Sequence, residues 1–139
     1  MKFATAFLLA VLACISLYAQ EKVNTYYDDE RQSLKEEYFI VQKDTAVLDG
    51  PYKMFSTEGK VIITGKYVEG KREGEFLNLY ESGKIQRRTT YEQGLRQGIT
   101  EVFDVEGKLV QQGEFKNDSL FGELVTYYPN GVVKNTTAF

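Results

Sequence analysis

Apolar and aromatic residues in this chain come in short runs, and each run is cut off by glycine beside a polar residue. Phe76-Leu-Asn-Leu-Tyr80 stops at Glu81-Ser82-Gly83, and Ile85 to Tyr91 stops at Glu92-Gln93-Gly94. Aromatic and β-branched residues dominate the runs, which predicts strands joined by tight turns rather than helices.

The pattern then recurs. Glycine returns every 24 residues at Gly50, Gly74, Gly98 and Gly122, and again at Gly59, Gly83, Gly107 and Gly131. An aromatic register, Tyr67, Tyr91, Phe115 and Phe139, keeps step with them, as do Phe55, Leu79, Phe103 and Tyr127. Ladders at one fixed period mark an internal repeat. Glu58-Gly59, Ser82-Gly83, Glu106-Gly107 and Asn130-Gly131 put glycine where a short hairpin loop needs positive φ. Glu69-Gly70, Gln93-Gly94 and Asn117-Asp118 supply a second set of turns, from one unit to the next.

Each unit is therefore one β-hairpin. A lone hairpin is marginal in water, but hairpins stacked at ~4.8 Å between strands make a continuous sheet. The expected fold is all-β: an elongated, single-layer antiparallel sheet, a meander of about five hairpins. The two glycine registers are read as its two alternating turns. The aromatic register and the Phe55 row are expected to line one face and supply the buried surface, and the small Gly65, Thr89, Gly113 and Thr137 to leave room for neighbouring rings. Residues 49–139 hold four repeats. Residues 20–48 read as a degenerate N-terminal unit, with Leu34 in the role of Val61 and a joint through Lys43-Asp44-Thr45.

Residues 1–19 have a different character. Lys2 precedes an almost unbroken apolar or small stretch from Phe3 to Leu17, and Leu17-Tyr18-Ala19 places a small residue before polar Gln20. This is the layout of a secretory signal peptide, too short to span a bilayer comfortably. Export to the periplasm, the cell surface or the medium is expected. Val11-Leu12-Ala13-Cys14 forms a loose lipobox, but the apolar stretch runs on past Cys14, so a cysteine within the signal peptide is preferred to a lipidated one.

Composition narrows the chemistry. The 139 residues contain no histidine, and cleavage would remove the single cysteine. That takes away the commonest general base, thiolate nucleophiles and zinc–thiolate sites. The formal charge of −3 becomes −4 without Lys2, a poor balance for gripping a phosphate backbone, so nucleic acid is not an expected partner. Glu73, Glu75, Glu81, Glu101, Glu123 and Asp104 offer carboxylates for a glycosidase-like pair. Without a nucleophile motif or phosphate loop, they are read as solvated surface. Asp28-Asp29-Glu30 matches no calcium-loop spacing and is read as an acidic turn. No enzyme activity, cofactor or metal is expected.

Asp49-Gly50…Gly59-Lys60, Glu73-Gly74…Gly83-Lys84 and Gln97-Gly98…Gly107-Lys108 resemble the MORN repeat variant (membrane occupation and recognition nexus), in bacteria often labelled the YwqK-type antitoxin family of toxin–antitoxin systems. The resemblance covers residues 49–139 well and 26–41 weakly, with Asp118 and Val132 departing from the pattern. It implies a recognition or scaffold surface and carries no catalytic residue onto this chain. The leading expectation is an exported bacterial protein–protein interaction module. Its docking point would be the edge strand at 132–139, which carries one charged side chain. The alternatives are an anionic-lipid-binding module using the row Lys60, Lys84 and Lys108, and an antitoxin-like neutraliser, which sits poorly with export.

Overall fold

The computed structural model describes residues 19–42 and 46–139. The signal-peptide and Cys14 readings fall on residues 1–18 and the Lys43-Asp44-Thr45 joint on 43–45, all outside the described residues. The described chain forms strands β1 (Gln20–Tyr26), β2 (Leu34–Gln42), β3 (Ala46–Phe55), β4 (Val61–Val68), β5 (Lys71–Arg72), β6 (Gly74–Leu79), β7 (Ile85–Glu92), β8 (Leu95–Phe103), β9 (Leu109–Lys116), β10 (Ser119–Tyr127) and β11 (Val133–Ala138). The strands pair antiparallel in chain order in one open sheet, except that the short β5 pairs with β4 alone and β4 also pairs with β6. The expected all-β meander of five hairpins is what the chain forms, with no helix among the described residues.

The described residues form a single layer. No side chain among the described residues is less than 2% exposed, and Val41 and Phe76 are the buried hydrophobic residues. Cohesion comes from cross-strand pairs and turn hydrogen bonds rather than from a core between layers.

In the four hairpins from β3 to β11 the turn within the hairpin is built the same way. Gly83 N–H donates to Tyr80 O at 2.8 Å and Tyr80 N–H to Lys84 O at 2.9 Å, with Gly83 at φ +85°. The same two bonds close the turns at 56–60, 104–108 and 128–132. Just past each turn a β-bulge adds one residue: Leu79 pairs with Ile85 but Asn78 with Arg87. The first hairpin carries this bulge too, Tyr26 pairing with Leu34 and Thr25 with Glu36.

The bulges correct two expectations. Because a bulge shifts the side-chain alternation by one residue, the Phe55, Leu79, Phe103, Tyr127 row does not share a face with Tyr67, Tyr91 and Phe115. Phe103 instead lies under Arg88, on the face where Arg88 meets Glu75 and Glu101. Nor does the Gly50, Gly74, Gly98, Gly122 register mark turns. Gly98 sits inside β8 at φ +86°, where the register with β7 slips between Thr89 and Tyr91. The turns between units are 69–70, 93–94 and 117–118, each with two successive positive-φ residues. That is the geometry of a two-residue hairpin turn.

A second ladder ties these inter-unit turns together along one long edge of the sheet. Gly70, Gly94 and Asp118 donate their N–H groups to Leu48, Arg72 and Arg96 carbonyls at 2.7, 3.0 and 3.1 Å. The preceding N–H groups, of Glu69, Gln93 and Asn117, are taken by Asp49 Oδ2, Glu73 Oε2 and Gln97 Oε1 at 3.2, 2.9 and 3.0 Å. The acid or amide before Gly50, Gly74 and Gly98 is thus a cap for the turn of its own unit.

Candidate functional site

Three parallel rows of side chains cross one face of the sheet, fixed by the strand register. The central row runs Tyr52, Gly65, Phe76, Thr89, Thr100, Gly113, Leu124, Thr137. In every unit the second residue after the strand glycine belongs to it: Tyr52, Phe76, Thr100 and Leu124. Three are large and one is small. Thr100, with its neighbours Thr89 and Gly113, leaves a run of three small residues between the walls made by Phe76 and Leu124.

The result is a groove of about 430 Å³ on this face. Along one rim lie Arg72, Tyr91, Arg96 and Phe115; along the other, Asn78, Arg87, Val102 and Gln111. Among the described residues, no aspartate or glutamate lines it. Thr100 Oγ1 is buried in the floor without a hydrogen-bond partner. A buried hydroxyl without a partner is uncommon and costs free energy comparable to a lost hydrogen bond.

The arginines are held in different ways. Arg72 places its guanidinium 5.3 Å from the Phe76 ring centre and 5.2 Å from that of Tyr91. Its Nη1 donates to Tyr91 Oη at 3.1 Å and its Nε to Tyr67 Oη at 3.5 Å. The Tyr67 hydroxyl raises the guanidinium's pKa further above its ordinary value. Arg96 lies 4.2 Å above Phe115 and is anchored by Asp118, with Nε to Oδ1 at 3.0 Å and Nη2 to the carbonyl oxygen at 3.0 Å. Hydrogen bonds from the Arg96 backbone N–H, then from its side chain, hold the Asp118 carboxyl below the usual carboxylate range. Arg87 is exposed and has no ion-pair or hydrogen-bond partner among the described residues.

Beside the groove the aromatic side chains interlock edge to face. Tyr52 meets Tyr67 at 5.5 Å, Tyr67 meets Phe76 at 5.6 Å, and Phe76 meets Tyr91 at 5.3 Å. Gly65 makes room for this, since a Cβ there would lie 2.6 Å from the Phe76 ring. Tyr67 and Tyr91 therefore connect through Phe76 rather than directly. Phe115 packs under Arg96, and Phe139, just past β11, is 66% exposed. At the far end of the ring series Tyr52 donates its hydroxyl to Glu36 Oε1 at 2.8 Å. Burial, reinforced by that bond, pushes the Tyr52 hydroxyl far above its ordinary pKa.

The lysine row lies at the turns of the opposite long edge. Lys84 Nζ donates to the carbonyls of Val105 and Glu106 at 3.1 and 3.2 Å, so it bridges to the next unit's turn. Lys60 sits 3.8 Å from Glu58, and Lys108 is exposed. Several of the carboxylates also have structural partners. Glu73 caps a turn, Glu75 and Glu101 hold Arg88, and Asp104 accepts the Lys108 N–H at 2.8 Å. Asp28 accepts the N–H groups of Gln32 and Ser33 at 2.9 and 2.7 Å. Those bonds hold its carboxyl below the usual range. No cluster of metal-ligating side chains occurs among the described residues.

Arg72, Arg87 and Arg88 lie close together in the sequence. The fold separates them: Arg88 faces the back of the sheet, and Arg72 and Arg87 face the groove. The signal for the groove was Thr100, the one small residue in its register. Comparison with curated proteins finds no match. Residues 72–93 and 96–117, the two units that carry all three groove arginines, match the MORN repeat variant, a repeat that generally serves to bind proteins or membranes.

Proposed function

We propose that this chain is an exported, non-enzymatic recognition module that binds a protein partner by accepting a strand at the open edge of β11. The supporting observation is that edge. All six residues of β11 are exposed, one of them is charged, and among the described residues the strand pairs only with β10. Phe139 N–H donates to Gly122 O at 2.8 Å, so the alternation of an antiparallel ladder turns the N–H groups of Thr136 and Ala138 outward. An edge of this kind templates strand addition, with backbone bonds supplying affinity. The lack of histidine supports a non-enzymatic role, and the pattern of residues 1–19 supports export. An antitoxin of the YwqK type would be a special case of the same protein binding.

The test is capture from envelope and culture fractions with the mature protein and its Thr136→Pro variant. Proline removes one outward N–H without breaking a ladder bond. Partner capture by the parent that falls with Thr136→Pro, at unchanged melting temperature, fits the reading; equal capture by both overturns it.

A further inference from the structure

The groove over Thr100 lies apart from the β11 edge, and its lining suits a particular class of ligand. The geometry points to an extended acidic peptide segment as its occupant, with glutamate or aspartate side chains held by Arg72, Arg87 and Arg96.

Charge complementarity is the first ground. A chain of net charge −3 concentrates three guanidinium groups around one hollow, with no carboxylate among its lining residues. Asp118 compensates Arg96 from outside, while Arg72 and Arg87 have no carboxylate within ion-pair distance among the described residues. A guanidinium offers a planar fork of N–H donors that matches a carboxylate, and desolvation in a hollow strengthens the pairing.

The second ground is what remains free. The rings beside Arg72 and Arg96 already have guanidinium groups over them, which leaves little bare ring face for stacking a sugar. A ligand instead meets N–H forks, the side-chain amides of Asn78 and Gln111, and the unpartnered Thr100 hydroxyl. Amides and a hydroxyl can bond the N–H and C=O groups of a peptide backbone. Phe76, Val102 and Leu124 add apolar contacts for the rest of the chain.

Shape is the third. Phe76 and Leu124 stand four strands apart, about 19 Å at ~4.8 Å per strand, a length that takes roughly five or six extended residues. The cations lie along the hollow, two of them laid over ring faces, rather than projecting as a flat membrane surface requires. The groove exists because Thr100 occupies the place of Tyr52, Phe76 and Leu124, so a large side chain there refills it.

Fluorescence anisotropy with a labelled alternating Glu–Val octapeptide tests the assignment, beside the same peptide with glutamine for glutamate and phosphatidylglycerol vesicles. Saturable binding of the acidic peptide, weakened by added salt and not matched by the glutamine peptide, is expected. Arg87→Gln should weaken it about tenfold. Thr100→Phe should abolish it while the melting temperature holds or rises. Lys53→Gln, which removes the same charge from the back face, should leave it within about twofold. Absence of saturable binding to about 1 mM overturns the proposal, as does equal binding by the glutamine peptide or by Thr100→Phe. Vesicle binding that Arg87→Gln abolishes, with the acidic peptide inert, assigns the groove to lipid and overturns it equally.

Discussion

Gly65→Ala adds one methyl group to an exposed-looking sheet, yet it should be among the costlier small changes in the molecule. The new Cβ would fall 2.6–2.7 Å from three atoms of the Phe76 ring. Real Cβ contacts lie well beyond that, and the ring has little freedom to retreat. Phe76 is 5% exposed and clamped between Tyr67 and Tyr91 at 5.6 and 5.3 Å. Overpacking of this kind costs about 1–3 kcal/mol. Each edge-to-face pair that is disturbed adds up to about 1 kcal/mol, while replacing a strand glycine returns about 0.5–1 kcal/mol. The net is a loss of about 2 kcal/mol. Gly113→Ala, at the equivalent repeat position, meets the Cδ1 ends of Leu120 and Leu124 at 3.0 Å and the Glu123 carbonyl oxygen at an ordinary 4.0 Å. Those flexible ends can shift, so its net effect should be near zero. For a domain of this size, thermal unfolding should show Gly65→Ala down about 6–10 °C and Gly113→Ala within about 3 °C. In a Phe76→Ala background the added cost of Gly65→Ala should vanish, a coupling that a double-mutant cycle reads directly. Equal losses for the two glycines, or a Gly65→Ala cost that survives without Phe76, would refute the ring-over-glycine packing.

The other expectations concern the edges. Glu73→Ala should unprotect the Gln93 amide in hydrogen exchange and cost about 1 kcal/mol, because it strips the cap from an inter-unit turn; unchanged exchange at Gln93 would count against the cap. Asp118 has a folded-state pKa below its unfolded value, so its contribution is full above about pH 4 and is lost as pH falls through the lower folded value. Urea midpoints of the parent and Asp118→Asn should therefore differ at pH 7 and converge in strong acid, whereas a gap that persists or widens there would contradict the assignment. The Thr136→Pro and Thr100→Phe variants separate the two proposed surfaces, since each should spare the binding carried by the other.

Much of the fold was legible because its causes are local. Glycine beside a polar residue at fixed spacing sets the turns, and alternating runs between them can only be strands. The bulge past each turn was not legible. It needs no special residue, yet it moves Phe55, Leu79, Phe103 and Tyr127 to the face away from Tyr67 and Tyr91. The strand glycines misled for the same reason, since positive φ serves a bulge as well as a turn. The caps Asp49, Glu73 and Gln97 act on amides twenty residues on, a separation that only the assembled sheet closes. The groove lay between these cases. Its floor was visible as one threonine among large residues, but its arginine rims depended on which positions the strand register places together.

Partner recognition is proposed to run along the β11 edge. Residue-resolved hydrogen exchange on the captured complex tests it most directly. The amides of Thr136 and Ala138 should pass from fast exchange in the free protein to strong protection in the complex, while Thr137 changes little. Unchanged fast exchange at Thr136 and Ala138 in a complex that is demonstrably bound would contradict the claim.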